Sequence, residues 1–403
     1  MNRIYLFIML LLLSLIVTAQ PADNTIDYHY YKTALVHKSK QQYKEAVIDF
    51  NIFLDDNPTH QNATYFRGYC RLYSNDFEGA LEDFKTLMKM NPTSIDGSFG
   101  AAQTCYKSGQ YKKAVDYYTK TLQLNKWHLP SYNDLGLAYC QLNKFGQAQQ
   151  AFQQAIRIDS TFAMAYCNAG AARYFNQDQA NPVRKDMQEA KDYFTQAIAL
   201  DDELYMAYYN RAAVNYFMGE YSESLADINM AVLMDPRNAM NYFYSGVIYQ
   251  KMGQPGRAMN EFKKAISLNP DLPFPYEVMA DISKVAGDYE LAETYYEQAA
   301  NAAEAKGDSY KGLMAYRVAE MYAMNDKLPE MYAALNRAKA LGVFDYRKVY
   351  TEFLASKSFK KHFKEDRLRK FTKSISRAKK TGDFLDPSMR WFRMQQGAMR
   401  YRG

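Results

Sequence analysis

Tryptophan is almost absent from this chain: Trp127 and Trp391 are the only two in 403 residues. Cysteine is scarce too. Cys70, Cys105, Cys140 and Cys167 are too few for a disulfide framework and have no zinc-type pairing. Buried thiols are the expectation. The five histidines, His29, His37, His60, His128 and His362, are scattered, and none belongs to an HExxH-like or CxxC-like cluster. The sequence also lacks GxSxG, GxxxxGK[ST] and a GxGxxG following a strand. These absences remove the common hydrolase, phosphate-loop and dinucleotide sites, so no enzyme, cofactor or metal is expected.

Other aromatics are abundant, with 36 Tyr and 23 Phe in a chain that is 48% hydrophobic. Such a composition excludes a disordered chain and implies many half-buried rings whose hydroxyls reach water. The length exceeds what one compact core supports, so two to three domains or an elongated repeat array is expected.

Long apolar runs are absent except at the start. Residues 1–19 carry Arg3, an unbroken apolar run from Ile4 to Leu13, and small residues at Val17 and Ala19. This is the pattern of a signal peptide cleaved before Gln20, and hence of an exported, periplasmic protein. An uncleaved signal anchor is the competing reading, although a span takes about 20 apolar residues. With no cysteine after the site, a lipoprotein is not supported.

A spacing of 34 residues recurs through the rest of the chain. It separates Pro58 from Pro92, Pro236 from Pro270, Gly136 from Gly170, Phe50 from Phe84, and Ala80 from Ala114 and Ala114 from Ala148. Residues 129–162 give the cleanest unit. Tyr132, Leu135, Gly136 and Tyr139 fall on a first helical stretch, and Ala148, Phe152 and Ala155 on a second. Residues 239–272 repeat the pattern with Tyr242, Gly246, Tyr249, Ala258, Phe262, Ala265 and Pro270. Small residues let two helices approach, and the bulky ring fills the space left between them.

This pattern resembles the tetratricopeptide repeat. The resemblance implies an all-α fold: a right-handed α-solenoid of helix pairs with a C-terminal capping helix. Units start near residues 27, 61, 95, 129, 163, 205, 239, 273 and 312. Eight repeats then cover 27–306, with an 8-residue insertion expected as a loop in the fifth. A degenerate ninth covers 307–345, a basic capping helix region 346–380, and an aromatic, basic tail 381–403.

In tetratricopeptide proteins the first helices line a concave face. Carried over by offset, the second, fifth, sixth, ninth, twelfth and thirteenth places of each unit point toward it. The candidate partner-binding groove is Met206 and Met240 at the second place, Tyr209 and Phe243 at the fifth, Asn168 and Asn210 at the sixth, and Tyr174 and Tyr216 at the twelfth. Methionine and aromatic side chains make an adaptable apolar trough, and asparagines can bond to an extended backbone. The competing reading is that the rings pack between units. The basic clamp that some relatives use for C-terminal carboxylates is not evident.

Charge is uneven. Residues 347–403 contain 17 Lys and Arg against 5 Asp and Glu, a net of +12, which leaves −6 on residues 1–346. Phe359, Phe363, Leu368, Phe371 and Ile375 recur at near-helical spacing, as one helix with an apolar face would place them. Beyond Gly382 and Pro387 the tail brings Arg390, Trp391, Phe392, Arg393 and Tyr401, candidates for a C-terminal contact. The expectation is a non-enzymatic scaffold of the cell envelope. It would hold partner proteins through its groove and basic end, within an assembly or secretion complex. The alternative is a membrane-surface adaptor held on anionic lipid by the basic end. Export argues against nucleic acid as a partner.

Overall fold

A left-handed residue recurs in the turn inside one helix pair after another, always at the fifteenth place of the unit. Gln41, Asn75, Asn143 and Asp326 have φ between 56° and 66°, and Gly109, Gly219, Gly253 and Gly287 between 71° and 83°. Glycine adopts this conformation without penalty, and Asn and Asp tolerate it, so the sequence stops each first helix at a fixed point. A second device marks the turn between pairs. Asn91, Asn125, Asp159, Asp201, Asp235 and Asn269 each accept, through the side-chain oxygen, a hydrogen bond from the backbone N–H two residues on, at 2.8–3.3 Å. Asp201 therefore builds a turn of its own and does not cap the following helix.

The computed structural model describes residues 27–175, 184–302 and 308–376. Among these there are helices and turns and no strand. The chain divides into two compact bodies, residues 1–186 and 187–403. The signal peptide and the tail 381–403 lie outside the described residues.

In the first body α1 (Asp27–Ser39) pairs with α2 (Tyr43–Asp56), α3 (Gln61–Tyr73) with α4 (Phe77–Met90), α5 (Ile95–Lys107) with α6 (Tyr111–Leu124), and α7 (Leu129–Gln141) with α8 (Phe145–Ile158), followed by α9 (Ala163–Phe175). The next helix, α10 (Arg184–Leu200), runs into the second body. There α11 (Tyr205–Met218) pairs with α12 (Tyr221–Met234), α13 (Ala239–Lys251) with α14 (Pro255–Leu268), α15 (Pro273–Val285) with α16 (Tyr289–Ala302), and α17 (Asp308–Met324) with α18 (Leu328–Ala340). Second helices elsewhere span 13 or 14 residues, whereas α10 spans 17. Part of the insertion is thus helix rather than loop, and Asp186 in that extra turn pairs with Arg173 of α9 at 2.7 Å. The ninth pair departs in the same way: α17 starts at Asp308, one turn ahead of the expected 312.

Packing within a pair follows the small-residue and ring pattern. Ala46, Ala80, Ala114, Ala148, Ala258 and Ala292 are fully buried, and the rings four residues on, from Phe50 to Tyr296, are all but fully buried. A Cβ placed on Gly136 would lie 2.5 Å from the Phe152 ring, and one on Gly246 would lie 2.5 Å from Phe262. These two glycines therefore set the helix separation.

Many tyrosines are more deeply buried than composition suggests, with hydroxyls that reach carboxylates instead of water. Tyr296 donates to Asp281 at 2.5 Å, Tyr310 to Glu277 at 2.7 Å and Tyr332 to Glu365 at 2.8 Å. Burying such a ring removes a large apolar area from water, and the hydrogen bond offsets the cost of burying its hydroxyl.

The end of the second body is capped, although not by one continuous helix. The segment is broken into α19 (Arg347–Ala355), α20 (Lys357–Lys360) and α21 (Asp366–Ser376), after a short 3-10 turn at Val343–Asp345. The first of the two breaks falls at Ser356, which is extended (φ −63°, ψ 124°) and whose hydroxyl donates to the buried Glu320 at 3.3 Å; the second, at residues 361–365, is the one that divides the expected helix. Phe353, Phe359, Leu368, Phe371 and Ile375 pack with Tyr316 and Phe344, and Phe363 is partly buried beside them. Glu320 also accepts from Arg317 at 3.0 Å and Lys284 at 3.1 Å, so one carboxylate ties α15, α17 and the cap together.

Candidate functional site

The first helices of the second body carry the proposed groove residues. On α11, Tyr205 and Tyr209 stack with centroids 5.9 Å apart, and Tyr244 of α13 meets Tyr209 edge-on at 5.3 Å. The Tyr205 hydroxyl donates to Asn241 at 2.6 Å, and burial pushes its pKa up to about 12. Phe243 lies 5.9 Å from Phe262 and 6.0 Å from Phe274. These contacts correct two expectations, because Phe243 is 0% exposed and Tyr209 only 8%. Adjacent first helices close on each other at the fifth place, so those rings belong to the core. Met206, Asn210, Tyr216 and Met240 stay half-buried at the surface. Tyr216 meets Tyr221 edge-on at 5.7 Å, and burial raises its pKa to about 12.

In the first body Asn168 and Tyr174 are also corrected, at 8% exposure each. The Asn168 amide donates to the Asn133 side-chain oxygen at 2.9 Å, and the Asn133 amide donates to Asp134 at 3.1 Å. The amide row joins neighbouring first helices to each other instead of offering hydrogen bonds to a guest. Tyr118 also donates to Asp134, at 3.4 Å. Burial nevertheless dominates, and it lifts the Asp134 pKa to about 6 against hydrogen bonds from Asn133, Gln103 and Tyr118.

The sequence reading missed a cluster in the first two repeats. Tyr69 and Tyr73 lie one turn apart on α3, with centroids 4.4 Å apart, and Tyr43 packs 5.3 Å from Tyr73. Lysines cover both ends. The Lys107 ammonium sits 3.8 Å above the Tyr73 ring, and Lys38 lies 5.1 Å from Tyr69 and 4.9 Å from Phe66. Tyr73 is 39% exposed, and Tyr43, Tyr69 and Phe66 are half-buried. Burial, then the neighbouring Tyr73 and Cys70, raises the Tyr43 pKa. Burial and a hydrogen bond with Tyr73 raise that of Tyr69 further. The signal was available, since Tyr69 and Tyr73 occupy the ninth and thirteenth places of one unit. Such a patch offers ring faces, hydroxyls and two cations to an extended or helical peptide.

Elsewhere the chain offers less to a ligand. An open cleft of about 420 Å³ lies where the cap meets α17, lined by Tyr316, Arg317, Glu320, Glu352, Ser356 and Lys357 among others. Arg317 there pairs with Glu320 and Glu352, so its charges satisfy one another. Cys70, Cys105 and Cys167 are buried thiols and Cys140 is half-buried. Burial pushes Cys70 up to about 11 and Cys140 to about 12, which keeps them protonated and unreactive. Among the described residues no group of three or more His, Cys, Asp or Glu could hold a metal, and no helix is long and apolar enough to cross a membrane. Arg390, Trp391, Phe392, Arg393 and Tyr401 lie outside the described residues.

Serial helix pairs, a shared turn residue and a ring set against a small residue define an α-helical repeat protein. Residues 136–177 match the family described as "TPR repeat", and residues 241–272 that described as "Tetratricopeptide repeat". Residues 27–121 match "Anaphase-promoting complex, cyclosome, subunit 3". The chain belongs to the tetratricopeptide-repeat proteins. It is similar to Tetratricopeptide repeat protein 6 of Homo sapiens, 28% identical over 244 residues, which are 60% of this chain and 39% of that protein. It is also similar to Superkiller protein 3 of Schizosaccharomyces pombe, 21% identical over 268 residues, 64% of this chain and 19% of that one. The chain thus spans well under half the length of these relatives. A solved tetratricopeptide repeat protein from Parabacteroides merdae superposes with a TM-score of 0.48 at 19% identity, over 60% of this chain and 93% of that one. Proteins of this family mediate protein–protein interaction.

Proposed function

We propose that this protein is a non-enzymatic interaction scaffold of the cell envelope, exported to the periplasm, that holds partner proteins on the helices of its repeats. The observation that carries this reading is the cluster of Tyr43, Tyr69 and Tyr73 held between Lys38 and Lys107. Half-exposed rings on rigid helices lose little entropy on binding and are favoured at interface hot spots. The half-buried Met206, Asn210, Tyr216 and Met240 supply a second face on the other body. Membership of an assembly or secretion complex, and the contact through Arg390 to Tyr401, belong to the same proposal.

Photo-crosslinking in the native envelope tests it. A crosslinking residue at position 73 or 206 should give discrete protein adducts that the exposed position Glu82 does not. Adducts of equal yield and pattern from all three positions would overturn the reading.

A further inference from the structure

The cap presents a field of cations that the fold itself does not use. Residues 357–376 contain eight Lys and Arg against Glu365 and Asp366, and all eight basic side chains are exposed. Three are engaged: Lys361 with Asp326 at 2.6 Å, Arg369 with Asp366 at 2.7 Å, and Arg367 over the Tyr332 ring at 4.3 Å. Lys357, Lys360, Lys364, Lys370 and Lys373 have no side-chain partner among the described residues. Beneath them Phe359, Leu368, Phe371 and Ile375 are locked into the core, so the charges ride on a fixed platform. Lys370 and Lys373 stand on the side of α21 opposite its buried residues.

We propose that residues 357–376 dock on an anionic lipid bilayer. Charge complementarity and residue type carry the choice. The tail 377–403 holds seven Lys and Arg against two Asp, so it adds charge of the same sign and does not neutralise the field. Six of the eight cations are lysines, which are depleted at protein interfaces and lack the fork that holds a protein carboxylate in one geometry. A compact ammonium needs no such geometry at a diffuse array of headgroups, where each one contributes about fivefold to partition. Leu354, 43% exposed and three residues ahead of the first of these lysines, is an apolar side chain left open to solvent beside them in sequence.

The inference does not rest on the groove, and its test leaves the groove intact. The chain from Gln20 to Gly403, freed of the N-terminal apolar run, is floated with vesicles of phosphatidylcholine alone or with about 30% phosphatidylglycerol. Binding is expected on the anionic vesicles only, with loss as salt rises from 50 to 500 mM. A variant carrying Lys360→Gln, Lys364→Gln, Lys370→Gln and Lys373→Gln should bind at least 30-fold more weakly with an unchanged thermal midpoint, since none of the four holds a partner. Wild-type protein that binds both vesicle types alike, or neither, overturns the proposal, and the wild-type salt series needs no variant. Undiminished binding by the fourfold variant also overturns it. If wild type ignores anionic vesicles while the variant loses a crosslinked protein, the occupant is an acidic protein and the lipid proposal fails.

Discussion

Arg211 closes a forked ion pair on Asp227, Nε to one carboxylate oxygen at 3.0 Å and Nη2 to the other at 2.7 Å. Arg67 holds Asp83 in the same way at the same places of the second repeat, at 3.1 and 2.6 Å. Each fork reaches back to the preceding second helix, through Asn51 at 3.0 Å in one case and Thr195 at 3.2 Å in the other. The pairs therefore fasten the two helices of a repeat to each other and to the repeat before.

Removing one partner of a nearly buried pair leaves an uncompensated charge. With Asp227 6% exposed, Arg211→Ala should cost about 3 kcal/mol in urea unfolding of the second body. Arg211→Met with Asp227→Leu should recover most of that loss, because it removes both charges and keeps the volume. A double variant no more stable than the single would show that the stranded charge is not the main cost, and that the buried Asn215 amide, which donates to Asp227 at 3.1 Å and loses its acceptor in the double variant, weighs as much.

Gly246 should resist enlargement in proportion to size. A Cβ there meets Phe262 ring atoms at 2.5–2.9 Å, and that ring is fully buried. Gly246→Ala gains about 1 kcal/mol of helix propensity yet must push the ring, for a net loss of about 1 kcal/mol. Gly246→Val should lose about 3 kcal/mol. Thermal unfolding checks the order, and an alanine variant more stable than wild type would mean the helices separate freely.

These features divide what the sequence tells from what it hides. The repeat, its glycine-to-phenylalanine contact and the apolar side of the cap were legible because each depends on spacing within one unit. Phe243 and Asn168 were misread because their exposure depends on how closely the next first helix approaches, which spacing within a unit does not report. Tyr69 and Tyr73 lie within one unit and were legible as a pair, whereas their contact with Tyr43 of the unit before was hidden for the same reason. Where the cap first bends, Ser356 is held by Glu320, 36 residues away, a contact that local periodicity cannot register.

Gln41 occupies the left-handed place that Gly109, Gly219, Gly253 and Gly287 fill elsewhere, at φ 60°. A side chain there costs about 1 kcal/mol, and glycine gives back part of the gain through its freer unfolded chain. Gln41→Gly should therefore stabilise the first body by about 0.5 kcal/mol. Gly109→Gln, the reciprocal change at the same place, should destabilise it by a similar amount. Urea titrations of both variants check the pair, and shifts of the same sign in both would rule out backbone strain as the cause.

The half-buried Asp134 and the buried Glu320 should respond to acid in opposite senses. Burial lifts the folded pKa of Asp134 to about 6, above its ordinary 3.8, so the folded state binds a proton that the unfolded state has released between those values. Asp134 thus favours folding most at low pH, and its contribution declines as pH rises from about 4 to 6, by on the order of 3 kcal/mol. For Glu320 burial opposes the charge, but Arg317 and Lys284 more than offset it and hold the pKa below 4.5. Its contribution is complete above 4.5 and is lost as pH falls through the folded value. Urea unfolding at pH 4 and pH 7 separates the two. Asp134→Asn should gain on wild type between pH 4 and 7, whereas Glu320→Gln should lose ground over the same interval and loosen the cap first, as proteolysis near Ser356 would report. If Asp134→Asn differs from wild type by the same amount at both pH values, Asp134 titrates as an ordinary carboxylate and its buried amide row plays no part in acid stability.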